Sequence, residues 1–207
     1  MKRVYETIPD AIIVVIITDP GKRAYSWYQH QKAHGDEVAS EYSFYDVISS
    51  DSKVTASLRS ECLDRGRYRH FIDIWESRGD GKIVIVDGEE FKRNPGMVLN
   101  SFVQQIDEIK NRMKNSSKHE DSVVENFDFT SVLKFEDGKS MFCISKDFSR
   151  KHGLKKRCLG SGKGRKYPPL DDRETEYLQK FYAEKEDNLK LKIYLDEHGV
   201  EIPEWLK

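Results

Sequence analysis

Two side chains that suit phosphate binding lie three residues apart near the start of the chain. Arg23 carries a guanidinium and Ser26 a hydroxyl, and a spacing of three places both on one face of a helix. A guanidinium donates paired hydrogen bonds to phosphate oxygens, and a hydroxyl adds a further donor. The alternative is that Ser26 is an ordinary serine on a helix surface, which the residues alone favour.

The residues around this pair predict a strand, a turn and a helix. Ile12–Ile17 is a run of apolar, mostly β-branched residues, which predicts a strand over about Ala11–Thr18 that is buried on both faces. Asp19-Pro20-Gly21 then forms a turn, and a helix is expected from about Pro20 to Ala33. A buried parallel strand that leads through a turn into a helix opens toward a ligand crevice at its carboxyl end.

A second stretch with phosphate-binding character lies in the last third of the chain. Lys151–Lys166 holds seven Lys or Arg residues and no acidic residue, and such a local charge attracts sulfated or phosphorylated ligands. Within it, Lys163 and Arg165 flank Gly164, and a glycine lets the backbone approach a phosphate closely. The stretch does not have the pattern of a Walker loop. A solvated, mobile loop is the alternative. The whole chain has 35 basic and 36 acidic residues, so its net charge does not indicate a partner.

The remaining pattern predicts a single domain, which is the default for 207 residues. Apolar runs predict strands, and apolar residues that recur at three and four predict helices. Beyond the first strand and helix, we expect a helical stretch at Ser43–Ser57, a strand at Ile83–Val86, a helix that begins at Asn94-Pro95, a hairpin of Phe129–Phe135 with Ser140–Ile144, and a helical region from Asp171 to Gly199. Two buried strands that are joined through helices indicate an α/β fold with a parallel sheet.

Three cysteines leave the redox compartment open at this point. Cys143 and Cys158 either form a bridge that closes a loop around the basic segment or stay free thiols, with Cys62 left over. A bridge would indicate an oxidising lumen, and the glycosylation acceptor motif Asn115-Ser116-Ser117 agrees with that compartment. The longest apolar run, Ala11–Ile17, is far shorter than the roughly 20 residues of a membrane span. The first residues do not have the pattern of a secretory signal.

Three separated motifs, in the same order, resemble the heparan sulfate N-deacetylase/N-sulfotransferase family. They are a segment that contains Arg23-Ala24-Tyr25-Ser26-Trp27-Tyr28-Gln29-His30-Gln31, a basic loop Cys158–Pro168 and the C-terminal residues Ile202–Leu206. The resemblance implies a P-loop-like sulfotransferase fold with a parallel central sheet over residues 1–207. In that domain, residues 12–34 correspond to the 3'-phosphate segment and residues 158–167 to the basic nucleotide loop.

The resemblance implies an enzyme that moves a sulfuryl group from 3'-phosphoadenosine 5'-phosphosulfate to the glucosamine amine of heparan sulfate. The implied partner is heparan sulfate or a related glycosaminoglycan and not a nucleic acid, no metal is required, and the implied location is the Golgi lumen or membrane. Two alternatives stay open. One is a non-catalytic remnant that binds a nucleotide or a sulfated glycan. The other is another carbohydrate O-sulfotransferase, which fits the run from Tyr25 to Gln31 less well.

For the nucleotide, the resemblance assigns Ser26 to the 3'-phosphate with Arg23 close by, and it makes Lys163–Arg165 the part of the loop that closes over the phosphates. Thr18 stands where the wider superfamily usually has an arginine, so the positive charge is expected to be weaker or to come from elsewhere. Phe142 is placed near the adenine, where its ring could pack on the base. A core position in the predicted hairpin is the alternative for Phe142.

For the acceptor, the resemblance points His30 at the sugar, where it helps with the amine proton. His30 lies one helical turn past Ser26 on the same face, and His34 extends that face. A polar histidine on the helix surface is the alternative. The resemblance also favours the Cys143–Cys158 bridge, since the family has a disulfide in the corresponding place.

The 5'-phosphosulfate end of the donor has no binding unit in this sequence. The family holds that end with a strand, a lysine-containing turn and a helix N-terminus, and it places a catalytic Glu soon after. These elements normally precede the strand that begins here near Ala11, and Met1–Asp10 is too short to build them. We therefore expect an N-terminally incomplete sulfotransferase domain. Whether this chain is active alone stays open, because the 5'-phosphosulfate loop and the catalytic Glu are absent from it.

Overall fold

The computed structural model describes residues 2–8, 11–79, 83–114, 128–135, 142–155, 158 and 167–207. In chain order the elements are α1 (Lys2–Thr7), β1 (Ile13–Ile17), α2 (Pro20–Ala33), α3 (Glu37–Glu41), α4 (Phe44–Ser49), α5 (Ala56–Leu63), α6 (Tyr68–Gly79), β2 (Ile83–Asp87), α7 (Gly88–Arg93), α8 (Pro95–Lys114), α9 (Phe129–Val132), β3 (Leu133–Phe135), β4 (Phe142–Ile144), α10 (Lys146–Lys151), α11 (Asp172–Glu184) and α12 (Asp187–Glu197).

The chain divides into two compact units. The first comprises Met1–Thr7, Ile17–Gly81 and Tyr167–Lys207, and the second comprises Ile8–Ile16 and Lys82–Lys166. The mixture of helices and paired strands is the α/β class that the sequence predicts. Within the described ranges, no helix combines the length and the apolar character needed to cross a bilayer.

Helix α2 has the bounds that the sequence predicts, because its first turn is determined locally. The Asp19 carboxylate accepts hydrogen bonds from the backbone N–H groups of Gly21 at 2.8 Å and Lys22 at 3.2 Å, which caps the helix. Pro20 occupies the first helical position, where its missing N–H leaves no helical hydrogen bond unmade. The chain therefore enters α2 at a defined residue.

The core of the first unit forms where α2 packs against α3, α5 and α11, while α4 packs against α5 and α11. The Tyr28 hydroxyl lies inside this core and donates to the Tyr42 carbonyl at 2.7 Å, so its polar end is satisfied. The buried core residues are Ala24, Tyr28, Ala39, Phe44, Val47, Ile48, Leu58, Cys62, Leu63, Leu178 and Tyr182.

Tyr182 joins α11 to the end of α5 from within the core. Its side chain is 2% exposed, and its hydroxyl donates to the Leu63 carbonyl at 3.0 Å. Burial is the main cause that raises the pKa of this phenol. Gly66 leaves room for the ring, because a Cβ at that position would lie 2.9 Å from the Pro20 Cβ and closer still to the Tyr182 hydroxyl.

Two helical stretches are divided in ways that the sequence pattern does not show. Ser43–Ser57 contains α4 and the start of α5, and the region from Asp171 to Gly199 contains α11 and α12. Glu186, with a φ of 54°, is left-handed and interrupts the second stretch. Leu191 is therefore buried in the core, while Leu189 is exposed. Gly199, with a φ of 65°, follows the end of α12 as predicted.

Helix α12 is joined to the α6 region by polar contacts. Asp187 is buried and pairs with Arg67, whose Nε lies 2.8 Å from a carboxylate oxygen. The Tyr194 hydroxyl donates to Glu76 at 2.8 Å, and the Arg69 guanidinium lies over the Tyr194 ring. A buried carboxylate is costly unless it is paired, so Arg67 is required where Asp187 is buried.

In the second unit, β1 and β2 pair in parallel, as the sequence predicts. Strand β2 is buried along its centre, with Val84 at 1% and Ile85 at 5% exposure. The prediction that β1 is buried on both faces is wrong, because Val14 and Ile16 are 41% and 55% exposed. Alternate strand residues point to opposite faces, and the described residues cover only one face of β1.

Helix α8 covers β2, as its apolar periodicity predicts. The residues that pack against the strand are Val98, Phe102, Ile106 and Ile109.

Helix α7 is absent from the prediction, although the sequence carries a signal for it. Asp87 caps this helix by accepting from the Glu89 N–H at 2.9 Å, and acidic residues in its first turn and basic residues in its last match the helix dipole.

Strands β3 and β4 form the predicted antiparallel hairpin, with Lys134 opposite Cys143. Residues 129–132 are helical and not part of the strand. The expected turn at residues 136–139 and the first two residues of the second predicted strand, 140 and 141, lie outside the described residues. Cys143 is bonded to Cys158 with an S–S distance of 2.12 Å, so the bridge that the resemblance favours is confirmed. Cys62 is a buried free thiol.

Replacing Tyr182 with Phe should lower the free energy of unfolding by about 1–3 kcal/mol, because a buried hydrogen bond is lost while the ring is kept. Urea denaturation measures this change. Tyr42→Phe is the matched control, since the Tyr42 hydroxyl makes no hydrogen bond to a described residue, and it should cost less than about 0.5 kcal/mol. Equal losses in the two variants would contradict the role given to the Tyr182 hydroxyl.

Cys62 should resist alkylation in the folded chain. Burial raises the pKa of its thiol to about 12, against the opposing positive charge of Arg23, and only the thiolate attacks iodoacetamide. At pH 9 the folded chain should therefore react at least about 100-fold more slowly than the urea-unfolded chain. Because the unfolded thiol ionises first, the same shift lowers the free energy of unfolding as the pH rises above about 9.

Mass spectrometry of peptides, prepared without reductant, measures this alkylation. Cys143 and Cys158 are the internal control, since their disulfide leaves no thiol to react. Equal rates at Cys62 in the folded and unfolded chains would contradict its burial. Alkylation of Cys143 or Cys158 without reductant would contradict the bridge.

Candidate functional site

The face of α2 that carries the predicted site residues lies at the edge of the first unit's core. Ala24 and Tyr28 are buried, Ser26 is exposed, and Arg23 and His30 are half-buried. Successive residues of an α-helix are rotated by about 100°. Ser26, two positions from both Ala24 and Tyr28, therefore points away from the core.

Arg23 binds the neighbouring helix with one part of its guanidinium. Its Nη1 donates to the Cys62 carbonyl at 3.0 Å, which joins α2 to the end of α5. Its Nε and Nη2 make no hydrogen bond to any residue that the structure describes. These nitrogens remain donors for an anion, one turn of helix before Ser26.

His30 is flanked by two other rings on α2. Its ring centroid lies 5.4 Å from the Trp27 ring, with the planes 26° apart, and 4.1 Å from the His34 ring. The Trp27 indole N–H donates to the Glu61 carboxylate of α5 at 3.0 Å, and the Arg65 guanidinium lies over the same ring system. His30 is therefore held by packed neighbours, and His34 extends its face as predicted.

An open pocket of about 440 Å³ lies beside the first turns of α2. Lys22 and Tyr25 line it from the helix, and Tyr167 and Leu170 line it from the segment that precedes α11. The Tyr25 and Tyr167 rings meet edge to face, with centroids 6.2 Å apart. Tyr167 ends the predicted nucleotide loop at residues 158–167, so the structure brings the end of that loop onto the helix that carries Ser26.

The other predicted site residues belong to other parts of the chain. Lys163, Gly164 and Arg165 lie outside the described residues. Phe142 lies in β4 of the second unit, where it is half-buried and pairs with Phe135 in the hairpin register.

Two residues of the site are missing from the sequence prediction. Lys22 lies four positions before Ser26, and that helical spacing could have identified it as a third polar residue on the same side. Tyr68 donates to the Thr18 carbonyl at 2.9 Å and so holds the chain just before α2. Because Tyr68 and Thr18 are 50 positions apart, no local pattern signals their contact.

The chemistry of the described groups suits an anion. Lys22, Arg23 and Ser26 offer two positive charges and a hydroxyl donor on neighbouring turns of α2. Within the described ranges, no group of three or more His, Cys, Asp or Glu side chains is arranged to hold a metal ion.

Comparison with known proteins agrees with this chemistry. A sulfotransferase domain model matches residues 6–190 of the chain. The chain is 35% identical over 204 residues to human bifunctional heparan sulfate N-deacetylase/N-sulfotransferase 2, and 36% identical over 211 residues to the bifunctional heparan sulfate N-deacetylase/N-sulfotransferase of Drosophila melanogaster.

These similarities cover 97% and 100% of this chain but only 21% and 18% of the two relatives, so the chain spans about a fifth of their length. The resemblance that three motifs indicate is confirmed over nearly the whole sequence. The paired parallel strands, and the contact of α2 with the end of the basic loop, are consistent with such a domain. The match over residues 6–190 shows that the chain belongs to the sulfotransferase domain family.

Proposed function

We propose that this chain belongs to an enzyme that moves a sulfuryl group from 3'-phosphoadenosine 5'-phosphosulfate to the glucosamine amine of heparan sulfate. The contact between Tyr25 and Tyr167 carries the proposal, because it joins the two segments that resemble nucleotide-binding parts of sulfotransferases. Membership in the sulfotransferase domain family supports the reaction class. The relatives named as heparan sulfate N-sulfotransferases support the acceptor.

In this proposal the 3'-phosphate of the donor binds on the outer side of α2. Ser26 is exposed there and donates its hydroxyl. The guanidinium N–H groups of Arg23 that do not bond to Cys62 lie one turn before it, and Lys22 adds a positive charge from the adjoining pocket. Charge-assisted hydrogen bonds of this kind are the strong ones for phosphate oxygens.

The basic loop is proposed to close over the same nucleotide. Lys163 is four residues before Tyr167, and four residues span at most about 14 Å. Since Tyr167 packs on Tyr25, the last residue of the loop contacts α2. Lys163 and Arg165 are proposed to neutralise the phosphates, and Gly164 to let the backbone approach them. Phe142 is the residue proposed to pack on the adenine.

The proposed chemistry is an in-line displacement at sulfur. The glucosamine nitrogen bonds to sulfur, the bond from sulfur to the bridging phosphate oxygen breaks, and the electron pair leaves with the 3',5'-bisphosphate. Positioning and charge stabilisation supply most of the catalysis of such a transfer. The amine also loses a proton, and the proposed acceptor is a ring nitrogen of His30.

The proposal extends to the setting of the reaction. Heparan sulfate or a related glycosaminoglycan is the partner, the Golgi is the location, and neither a metal nor a nucleic acid takes part. The Cys143–Cys158 disulfide supports an oxidising lumen, because such bridges persist there.

Binding of 3'-phosphoadenosine 5'-phosphate, measured by calorimetry on this chain, tests the donor site. Ser26→Ala and Lys163→Ala should each weaken the affinity about tenfold or more, because each removes a charge-assisted contact to phosphate. Ser57→Ala and Lys180→Ala, at exposed helical positions outside the proposed site, are the matched controls and should bind as wild type. Unchanged affinity in both Ser26→Ala and Lys163→Ala would remove the assignment.

Transfer of a labelled sulfuryl group to N-deacetylated heparan sulfate tests the reaction and the role of His30. His30→Gln should lower kcat by about 10²–10⁴-fold and leave nucleotide affinity unchanged, because only proton transfer is lost. His70→Gln, at an exposed position of α6, is the control and should keep full activity. A wild-type chain that binds the nucleotide but transfers nothing would support the non-catalytic alternative instead.

A further inference from the structure

We propose that Glu61 is a positioning residue that holds the His30 ring in place through Trp27. The part of this inference that concerns activity rests on the proposed function, since it takes His30 as the group that accepts the amine proton. The part that concerns ring position rests on contacts between α2 and α5 alone.

The first contact is the hydrogen bond between Trp27 and Glu61. The indole Nε1–H donates to Glu61 Oε2 at 3.0 Å, and both side chains are half-buried. A charged acceptor makes this a strong hydrogen bond. Glu61 therefore holds the edge of the indole that carries Nε1, which limits the rotation of the ring about its side-chain bonds.

The second contact passes that orientation to His30. The Trp27 and His30 rings lie 5.4 Å apart at 26°, which is a stacked arrangement. Arg65, one turn after Glu61, also packs on the indole, with its Cζ 5.1 Å from the ring centroid. His34 packs on His30 at 4.1 Å. His30 thus has a neighbouring ring on each side along α2, and one of these rings is anchored to α5.

This arrangement matters because a proton acceptor must be aligned with the reacting atom. An exposed histidine exchanges among rotamers, and a small misplacement of a reacting group costs much of its rate. If the acceptor at Glu61 is removed, the indole loses its anchor on α5 and His30 loses a fixed stacking partner. Nucleotide binding through Ser26 does not depend on this chain of contacts.

Three variants of the full chain isolate the proposed route. Glu61→Gln keeps a hydrogen-bond acceptor, Glu61→Leu removes it at similar size, and Trp27→Phe keeps a ring but cannot donate. The first readout is the NMR shift of the His30 ring protons, assigned with His30→Gln, because a stacked indole displaces these signals. The second is kcat and KM for sulfuryl transfer, beside calorimetric binding of the bisphosphate nucleotide.

Glu61→Leu should move the His30 ring signals toward those of an unstacked histidine and lower kcat by about tenfold to 100-fold, with nucleotide affinity unchanged. Glu61→Gln should retain most of the wild-type shift and rate. In the Trp27→Phe background, Glu61→Leu should change neither readout further, since the hydrogen bond is already absent. Thermal midpoints check that each variant is folded, and Trp27→Phe tests the same bond from the other side if Glu61→Leu does not fold.

The outcomes separate this inference from the proposed function. If the wild-type chain transfers no sulfuryl group, the proposed function fails, and the NMR comparison still decides the positioning role. Unchanged His30 signals in Glu61→Leu would overturn the inference. An equal effect of Glu61→Leu in the wild-type and Trp27→Phe backgrounds would also overturn it, because Glu61 would then act by another route.

Discussion

The packing of α2 against α5 is the constraint on which the candidate site depends. It buries Ala24 and Tyr28 at 0% and 2% exposure, and the hydrogen bond from Arg23 to the Cys62 carbonyl closes its edge. A helix is rigid, so fixing the buried face also fixes the side of the helix on which every other residue lies. One packing contact therefore orients the proposed anion-binding side of the helix and the proposed proton acceptor together.

Hydrogen bonds between distant parts of the chain keep this packing in register. They join residues 34, 50 and 119 positions apart, so each closes a long loop that apolar contacts alone would hold less specifically. These bonds are Trp27 to Glu61, Tyr68 to Thr18 and Tyr182 to Leu63. Two of them reach α2 or Thr18, two residues before it, which ties the geometry of the site to the stability of the first unit.

What the sequence predicts and what it misses both follow from the range of the interactions. The bounds of α2 are predictable because the Asp19 cap and the following proline act within a few residues. The exposure of one face of β1 is not predictable in this way. An apolar run shows that a strand can be buried, but distant elements decide whether Val14 and Ile16 are covered. Likewise, spacing predicts the shared face of Ser26 and His30, but the contact of Tyr25 with Tyr167 requires the folded chain.

The outer side of α2, together with the end of the basic loop, is the proposed binding site of the donor nucleotide. Backbone amide shifts of the isotope-labelled chain, recorded during titration with 3'-phosphoadenosine 5'-phosphate, test this most directly. Binding at the proposed site should give saturable shifts concentrated in residues 22–30 and 163–167, with α12 unaffected. Shifts confined to α6 and α12, or no saturable shift in a folded chain, would contradict it.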